Sequence, residues 1–267
     1  SLIEFLRGHE KAITALEIID DSVLSQLPEL KVIGKYGVGL DMIDMDAMRR
    51  HGKCLGWTGG VNRRSVSELV ISFAIALLRH VPAAHREVLS GTWRQHVGGY
   101  LSGRTIGIIG CGHIGKDLIP LLKAFGCTVL VNDIIDYPEF YRSHNIESIS
   151  IEELLSRSDI VTLHVPLDKS TRGMISEQRL SLTKPTAILI NAARGGLIDE
   201  VALKMMLKDK RLAAAALDVF TEEPPQDLEL LELPNLLVTP HIGGSADEAI
   251  LAMGRAAING LDDNEIP

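Results

Sequence analysis

Residues 104–116 carry glycines at a spacing that can bind a chain of phosphates. An apolar, β-prone run leads directly into Gly-Cys-Gly-His-Ile-Gly, and a helical pattern follows. In such a turn Gly110 permits a tight bend, Gly112 removes a Cβ that would keep phosphate from the backbone, and Gly115 lets the helix pack closely on its strand. Free N–H groups and the positive end of the helix dipole then face the anion. The segment therefore predicts a site for the pyrophosphate of a dinucleotide.

Asp133 stands where a dinucleotide-binding unit places its ribose-binding carboxylate. It follows a second β-like run at 127–132, and a carboxylate there accepts hydrogen bonds from the hydroxyls of the adenosine ribose. No arginine is adjacent, and a 2′-phosphate would meet a like charge. Asp133 therefore favours NAD over NADP. A solvated aspartate at a strand end is the alternative that the pattern alone leaves open.

The pattern of strands and helices places these residues at the ends of parallel strands. Apolar runs at 105–109, 128–132, 160–164, 187–191, 213–218 and 236–239 alternate with helical patterns at 114–125, 151–156, 176–181 and 199–208. This alternation predicts a parallel sheet with right-handed crossovers. Before it, strand-like runs at 31–36 and 53–57 flank a helix at 44–51 and predict a smaller unit. The Ser-Val-Ser-Glu sequence at 65–68 predicts a capping box that opens a long helix over 65–80.

The residues that follow each strand of the larger unit are rich in groups that bind ligands. After the glycine loop and Asp133 come Val165-Pro166, the run 191–194, Asp218 and His241. The carboxyl ends of the strands of a doubly wound sheet converge on one ligand crevice. We therefore expect these residues to meet around one cofactor, although they are far apart in the sequence.

Composition limits the classes of partner and compartment. The 267 residues are 46% hydrophobic and carry a net charge of -8, which argues against nucleic acid as a partner. Three widely spaced cysteines indicate neither a disulfide framework nor a zinc site, and we expect no bound metal. The longest apolar run, 69–78, is too short to span a bilayer. With no signal peptide visible in the sequence, we expect a cytoplasmic protein without a membrane partner.

The sequence resembles the D-isomer-specific 2-hydroxyacid dehydrogenases over nearly its whole length. The matching strings are GVGLDMID (37–44), VNRRSVSELV (61–70), GIIGCGHIGK (107–116), LHVPL (163–167), ILINAARGGLIDE (188–200), ALDVFTEEPP (216–225) and TPHIGG (239–244). The resemblance implies a Rossmann-type NAD-binding domain at 65–242. It also implies a smaller flavodoxin-like α/β substrate domain, formed by 1–64 and 243–267. Because relatives usually carry a further strand and helix before this domain, we expect its N-terminal part to be missing.

The resemblance implies hydride transfer between NAD(H) and C2 of a small D-2-hydroxy acid or 2-keto acid. His241 would be the acid/base, since an imidazole of ordinary pKa about 6.5 can both accept and donate a proton. Glu223 would be its carboxylate partner. Glu222 competes on composition, and only the five-residue offset from Asp218, as in the family, selects Glu223. Arg194 would clamp the substrate carboxylate and the C2 oxygen with its planar guanidinium.

Other site residues follow from the same resemblance. His113 and Ile114 would contact the pyrophosphate through their backbone, while Val38 and Gly39 would join Arg194 and His241 in binding substrate. Closure about hinges near 62–66 and 242–246 would exclude water. His164 is interpreted as a strand-end side chain, and Cys111 as a small residue of the glycine loop. The full cofactor set is Gly110, Gly112, His113, Ile114, Gly115, Asp133, Val165, Pro166, Thr171, Ala192, Ala193, Arg194, Asp218, His241 and Gly244.

Two other functions share this scaffold. An NAD-sensing corepressor would keep the same triad, so that only turnover separates it from an enzyme. A formate dehydrogenase uses glutamine where this chain has Glu223, which argues against that reading. The family usually dimerises through its cofactor domain, and we expect a homodimer formed by the apolar helix 68–79 and the arm 93–104. Which 2-hydroxy acid is the substrate cannot be read from these motifs.

Overall fold

A computed structural model describes all residues from Ser1 to Pro267, and the chain divides into two compact units. Unit 1 comprises Ser1–Ser65 and Gly244–Pro267, and unit 2 comprises Val66–Gly243. Most helices that begin in unit 1 start at a side-chain cap, for example Asp44, whose carboxylate accepts from the N–H of Ala47. The elements of unit 1 are α1 (Leu2–Leu6), β1 (Lys11–Thr14), α2 (Asp21–Leu24), β2 (Val32–Lys35), α3 (Met45–Arg50), β3 (Cys54–Gly56) and α12 (Asp247–Asn259).

Unit 2 is built on a seven-stranded parallel sheet. Helix α4 (Arg63–Leu78) leads into it. The elements that follow are α5 (Val81–Leu89), β4 (Thr105–Ile109), α6 (His113–Ala124), β5 (Thr128–Asn132), α7 (Pro138–His144), β6 (Glu147–Ser148), α8 (Ile151–Arg157), β7 (Ile160–Leu163), α9 (Glu177–Leu180), β8 (Ile188–Asn191), α10 (Glu200–Lys208), β9 (Ala214–Leu217), α11 (Leu228–Leu231) and β10 (Leu236–Val238). The strand order is β10-β9-β8-β7-β4-β5-β6. The chain thus winds outward from β4 in both directions, and the predicted Rossmann-type sheet is confirmed.

The central strands of this sheet are apolar because helices cover both faces. Neighbouring residues of β4 point to opposite sides, so that Ile108 packs with α4, α6 and α7 while Ile109 packs with α8 to α11. All four residues of β7, β8 and β9 are buried. Continuous apolar runs of this kind are what allowed these strands to be predicted.

Several elements differ from the sequence prediction, and the short elements β1, α1, α2, α7 and α11 were not predicted. Strand β6 was missed because it consists of two exposed polar residues, Glu147 and Ser148. The predicted capping box at 65–68 is wrong, since α4 already begins at Arg63. The long helix ends at Leu78, and α5 begins only after His80, whose φ of 55° is left-handed. Pro82, near the start of α5, has no N–H to donate and prevents one continuous helix.

No single helix is long and apolar enough to cross a membrane. The pair formed by α4 and α5 passes the test of length and composition, but the two helices are bent by 63° at their junction.

Unit 1 contains a three-stranded parallel sheet in the order β1-β2-β3. Helix α12 packs against β2 and β3 at very short range, since a Cβ at Gly34 would lie 2.4 Å from the carbonyl oxygen of Ala257. A Cβ at Gly56 would lie 1.9 Å from the carbonyl oxygen of Gly260. The parallel α/β architecture expected for the smaller domain is therefore confirmed, and α12 joins the second segment of the unit to its sheet.

Candidate active site

The residues predicted to bind ligands follow the carboxyl ends of the parallel strands in unit 2. Gly110 follows β4, Asp133 follows β5, and Val165 follows β7. Arg194 and Asp218 follow the next two strands, β8 and β9, while His241 comes three residues after β10. Because all strands are parallel, these residues lie at one edge of the sheet.

His241 and Glu223 form a hydrogen-bonded pair. The Nδ1 atom of His241 lies 2.9 Å from Oε2 of Glu223, and both side chains are about half exposed. A carboxylate only accepts hydrogen bonds, so the proton of this bond is on Nδ1. The second oxygen, Oε1, accepts from the N–H of Phe220 at 3.1 Å and fixes the carboxylate. This arrangement leaves Nε2 of His241 as the atom that can exchange a proton with a ligand.

The competing carboxylate, Glu222, takes no part in this pair. Glu222 is exposed and makes no hydrogen bond or ion pair in the structure. The structure thus separates two acidic neighbours that composition could not distinguish.

Asp218 organises the turn that carries His241. Its carboxylate is 1% exposed, and it accepts from the N–H groups of Ile242 at 2.8 Å and Gly243 at 2.7 Å. The hydroxyl of Thr239 donates to it at 2.5 Å. Its backbone carbonyl accepts from the N–H of His241 at 2.8 Å. The turn on both sides of the imidazole is therefore fastened to one buried residue.

Arg194 lies in a loop that is packed tightly against the segment after β9. Asn191 holds this loop, because its side-chain amide donates to the carbonyl of Arg194 at 2.8 Å and its oxygen accepts from the N–H of Ala193 at 3.1 Å. A Cβ at Gly195 would lie 1.8 Å from the carbonyl oxygen of Phe220. The guanidinium is half-buried and donates to the carbonyl of Ala193 at 2.7 Å. Ala192 and Ala193 are buried beside it.

The glycine loop has the geometry that its spacing predicted. Gly110 has a φ of 101°, and a Cβ there would lie 2.5 Å from the carbonyl oxygen of His164. Gly115 approaches so closely that its Cβ would lie 2.3 Å from the carbonyl oxygen of Gly110. At Gly112, in contrast, a Cβ would meet nothing within 4 Å. No side chain caps α6, so the N–H groups of His113 and Ile114 at its first turn can bind an anion.

Asp133 is joined to the glycine loop directly. One carboxylate oxygen accepts from the N–H of Cys111 at 2.5 Å, and the other accepts from the N–H of Ile135 at 2.8 Å. The side chain is half-buried at the end of β5. Burial raises the pKa of the Cys111 thiol to about 11, so Cys111 is an un-ionised packing residue here.

The loop after β7 brings Pro166 and Thr171 together. The hydroxyl of Thr171 donates to the carbonyl of Pro166 at 2.7 Å and accepts from the N–H of Asp168 at 2.8 Å. Val165 is half-buried and Pro166 is exposed at the strand end. Two of the three predicted cofactor residues of this loop, Pro166 and Thr171, therefore belong to one hydrogen-bonded turn.

His164 is a neutral strand-end side chain. Desolvation lowers the pKa of its imidazole from 6.5 to about 3. Its Nε2 atom lies 3.0 Å from the hydroxyl of Thr162, and its buried Nδ1 atom has no partner. With this pKa the imidazole is neutral near pH 7 and has no imidazolium proton to donate, so His164 is unsuited to general acid catalysis.

The remaining predicted residues lie in unit 1. Val38 and Gly39 form part of the turn that follows β2, and both are half-buried. Gly244 is the first residue of the second segment of this unit, and a Cβ there would lie 3.1 Å from Nδ2 of Asn62. Among all described residues, no group of three or more His, Cys, Asp or Glu side chains could hold a metal ion.

Comparison with known proteins decides the family of this chain. The model for the D-isomer specific 2-hydroxyacid dehydrogenase, NAD binding domain, matches residues 71–243. The chain belongs to this family. Within the family, the D-3-phosphoglycerate dehydrogenase of Bacillus subtilis is 39% identical over 235 residues, which are 87% of this chain and 45% of that protein. The glyoxylate reductase of Thermococcus litoralis is 36% identical over 270 residues, covering 97% of this chain and 82% of the relative.

A solved relative has the same fold. The D-lactate dehydrogenase of Aquifex aeolicus, complexed with NAD and lactic acid, has a TM-score of 0.88 and 28% sequence identity. The match covers 98% of this chain and 83% of that structure. The chain spans about half the length of the phosphoglycerate dehydrogenases that it matches.

NAD is the cofactor of this 2-hydroxyacid dehydrogenase family, and the residues of unit 2 fit it. The open space beside Gly112, next to an uncapped helix, suits a pyrophosphate. The carboxylate of Asp133 at the end of the next strand suits a ribose. These two observations concern the geometry of this chain and are independent of its relatives.

Sequence reasoning did not foresee how the site is supported. Asn191 was expected only to meet the cofactor as part of the run 191–194, and Thr239 was not singled out, but they fix the loop of Arg194 and the carboxylate of Asp218. Their signal was present, since Thr239 stands two residues before His241 and Asn191 three before Arg194. Polar side chains at strand ends commonly hold neighbouring loops through backbone hydrogen bonds.

We expect Asp218→Asn to destabilise unit 2 by about 1–3 kcal/mol, because an amide nitrogen would face a backbone N–H in a buried site. Urea unfolding followed by circular dichroism measures this change. Asp168→Asn is the matched control, since Asp168 also accepts three hydrogen bonds, from the N–H and hydroxyl of Ser170 and the N–H of Thr171, but is exposed. Equal losses in the two variants would contradict the role assigned to the buried carboxylate.

Proposed function

We propose that this chain catalyses NAD-dependent interconversion of a small D-2-hydroxy acid and its 2-keto acid. The observation that carries the proposal is the bond between His241 and Glu223, held at the edge of a NAD-binding sheet by Asp218. NAD(H), when bound, supplies or accepts the hydride at C2. The protein's residues supply the proton, orient the substrate and stabilise its charge.

In the reductive direction His241 donates a proton from Nε2 to the C2 oxygen as hydride reaches C2. The carboxylate of Glu223 stabilises the imidazolium that precedes this step and keeps the Nδ1 proton in place. In the oxidative direction Nε2 takes the proton from the C2 hydroxyl. Charge balances in both directions, because the keto acid gains one hydride and one proton on reduction and the hydroxy acid loses both on oxidation.

Arg194 is the proposed substrate clamp. Its guanidinium offers several N–H donors in one plane, which can hold a carboxylate and polarise the C2 carbonyl. The rigid packing of its loop, with Asn191 and Gly195 at close range, supports such a role. We assign the carboxylate of the substrate also to the backbone N–H groups of the turn formed by Gly37, Val38 and Gly39.

The test is reduction of pyruvate, hydroxypyruvate and glyoxylate with NADH. We expect His241→Ala to lower kcat by about 10²–10⁴-fold, while the Kd for NADH, measured by fluorescence, stays within about twofold. Glu223→Gln should also lower kcat, whereas Glu222→Gln, the adjacent carboxylate without a partner, should not. Full activity of His241→Ala, or equal effects at 222 and 223, would refute these roles.

The same assay separates the enzyme from the corepressor-like alternative. That alternative predicts dinucleotide binding with no turnover of any 2-keto acid by the wild-type protein. No contact in the structure specifically favours it over the enzyme.

We expect NADH to be preferred to NADPH by about tenfold or more in kcat/KM, since Asp133 would repel a 2′-phosphate. Asp133→Ser should reduce this ratio, although it also weakens the glycine loop. Asp136→Ser, which removes an exposed carboxylate from the same loop, should leave the ratio unchanged. The ratio of the two coenzymes is the measurement, because general damage lowers both rates. A wild-type preference for NADPH would overturn the role of Asp133.

We propose further that the protein is a homodimer of the cytoplasm. Its three cysteines are unpaired, which suits a reducing compartment. The expected contribution of the helix 68–79 is not supported, since none of its large apolar side chains is exposed. Several large apolar side chains on α5 and the following arm are exposed in the single chain, including Trp93 at 86% and Val97 at 93%. Contiguous exposed apolar residues are typical of an interface.

Light scattering tests the dimer, and we expect twice the chain mass of 29.1 kDa. Trp93→Asp should shift the mass towards that of one chain, because it places a charge in the apolar contact. Phe5→Asp, at an exposed aromatic residue of unit 1, is the control and should remain dimeric. A monomeric wild-type protein would rule the dimer out.

A further inference from the structure

The turn formed by Gly37, Val38 and Gly39 presents backbone N–H groups that have no partner in the protein. It follows β2, and Gly37 has a left-handed φ of 93°. All three residues are half-buried, yet none of their N–H groups donates a hydrogen bond to another residue. N–H groups that no protein acceptor satisfies are left to bind water or a ligand with acceptor atoms, such as a carboxylate.

The carbonyl groups of this turn, in contrast, are held by two side chains. The indole Nε1–H of Trp57 donates to the carbonyl of Val38 at 3.2 Å. The ammonium group of Lys35 donates to the carbonyl of Tyr36 at 2.7 Å. In a planar trans peptide the C=O and the following N–H point in opposite directions. Fixing these two carbonyls therefore fixes the N–H groups of Gly39 and Gly37 on the side away from the donors.

The sheet order explains why the two side chains can reach the turn. Strand β2 lies between β1 and β3, and Trp57 directly follows β3. Lys35 ends β2 itself and also donates to the carbonyl of Ala15 at 2.5 Å, just after β1. The turn is thus tied to the ends of both neighbouring strands. Lys35 is only 4% exposed, so its charge acts in a region with little solvent screening.

We propose that Trp57 and Lys35 are positioning residues that aim the N–H groups of Gly39 and Gly37 at the carboxylate of the substrate. This inference rests on the substrate role proposed above for the turn. Donation to a carbonyl also polarises the peptide and makes its N–H a stronger donor to an anion. In this proposal neither Trp57 nor Lys35 contacts the reacting atoms. Their effect is on binding of the carboxylate and not on hydride transfer.

Trp57→Phe tests the inference, because it keeps an aromatic ring and removes the N–H. We expect the KM for pyruvate to rise about three- to tenfold, the range for loss of one hydrogen bond. The values of kcat and of the Kd for NADH should change by less than about twofold. Gln26→Met is the matched control, since Gln26 donates a side-chain N–H to the carbonyl of Ser22 at 2.9 Å, at the opposite end of the same sheet.

A second measurement does not need turnover. The sequence contains only two Val-Gly pairs, 38–39 and 97–98. Labelling valine carbonyls with ¹³C and glycine nitrogens with ¹⁵N therefore gives two selectively detected amide signals. With NADH present, oxamate, an unreactive carboxylate analogue, should shift the signal of Gly39 and not that of Gly98. In Trp57→Phe the Gly39 signal should move before oxamate is added, and more oxamate should be needed to shift it further.

These results separate failure of the inference from failure of the proposed reaction. If the wild-type protein reduces no 2-keto acid but oxamate shifts Gly39 and Trp57→Phe weakens this response, the positioning role stands and the reaction does not. If oxamate leaves Gly39 unchanged, the inference is overturned. It is also overturned if Trp57→Phe leaves KM unchanged, or if it lowers kcat and NADH binding to the same extent. A KM and a Gly39 signal that change no more than those of Gln26→Met would overturn it as well.

Discussion

The buried carboxylate of Asp218 is the constraint on which the candidate active site depends. His241 sits in a left-handed conformation, with a φ of 55°, which costs a residue other than glycine about 1–2 kcal/mol. The turn keeps this conformation because Asp218 accepts from the N–H groups of His241 and of the two residues that follow it, and from the hydroxyl of Thr239 before it. Two half-exposed groups, an imidazole and a carboxylate, are thereby held in contact by a residue that solvent hardly reaches. Rigid buried support is what orients exposed chemical groups.

The separation of apolar runs from polar residues along the sequence explains how much of the fold and of the candidate site could be predicted. The strands of the large sheet were located within about one residue, because helices cover both faces and each strand is a continuous apolar run. The chemical groups follow those strands, so their common edge could be predicted as well. Strand β6 was lost because it pairs through its backbone and contributes no buried side chain. A pattern of hydrophobicity cannot report a strand of that kind.

The supporting hydrogen bonds could not be predicted for a different physical reason. Thr239 acts through one hydrogen bond to a carboxylate more than twenty positions away in the chain. The two groups meet only because of the register between two strands. The capping box at 65–68 failed in a related way. Its serine was a suitable cap by type, but the helix had already begun at Arg63, and Ser65 accepts instead from the N–H of Ala246. Local signals of this kind are overridden by contacts between distant segments.

The same reasoning explains why the substrate is harder to identify than the reaction. The proposed reaction rests on residues whose types are fixed by proton transfer and charge, such as His241 and Glu223. At the strand ends of unit 1, Leu16 and Ile18 after β1 and Trp57 after β3 are exposed. Chemistry imposes no single residue type there, since an apolar surface can accept side chains of several sizes. Identifying the acid therefore depends on how these loops surround the turn proposed to bind the carboxylate, and no motif encodes that arrangement.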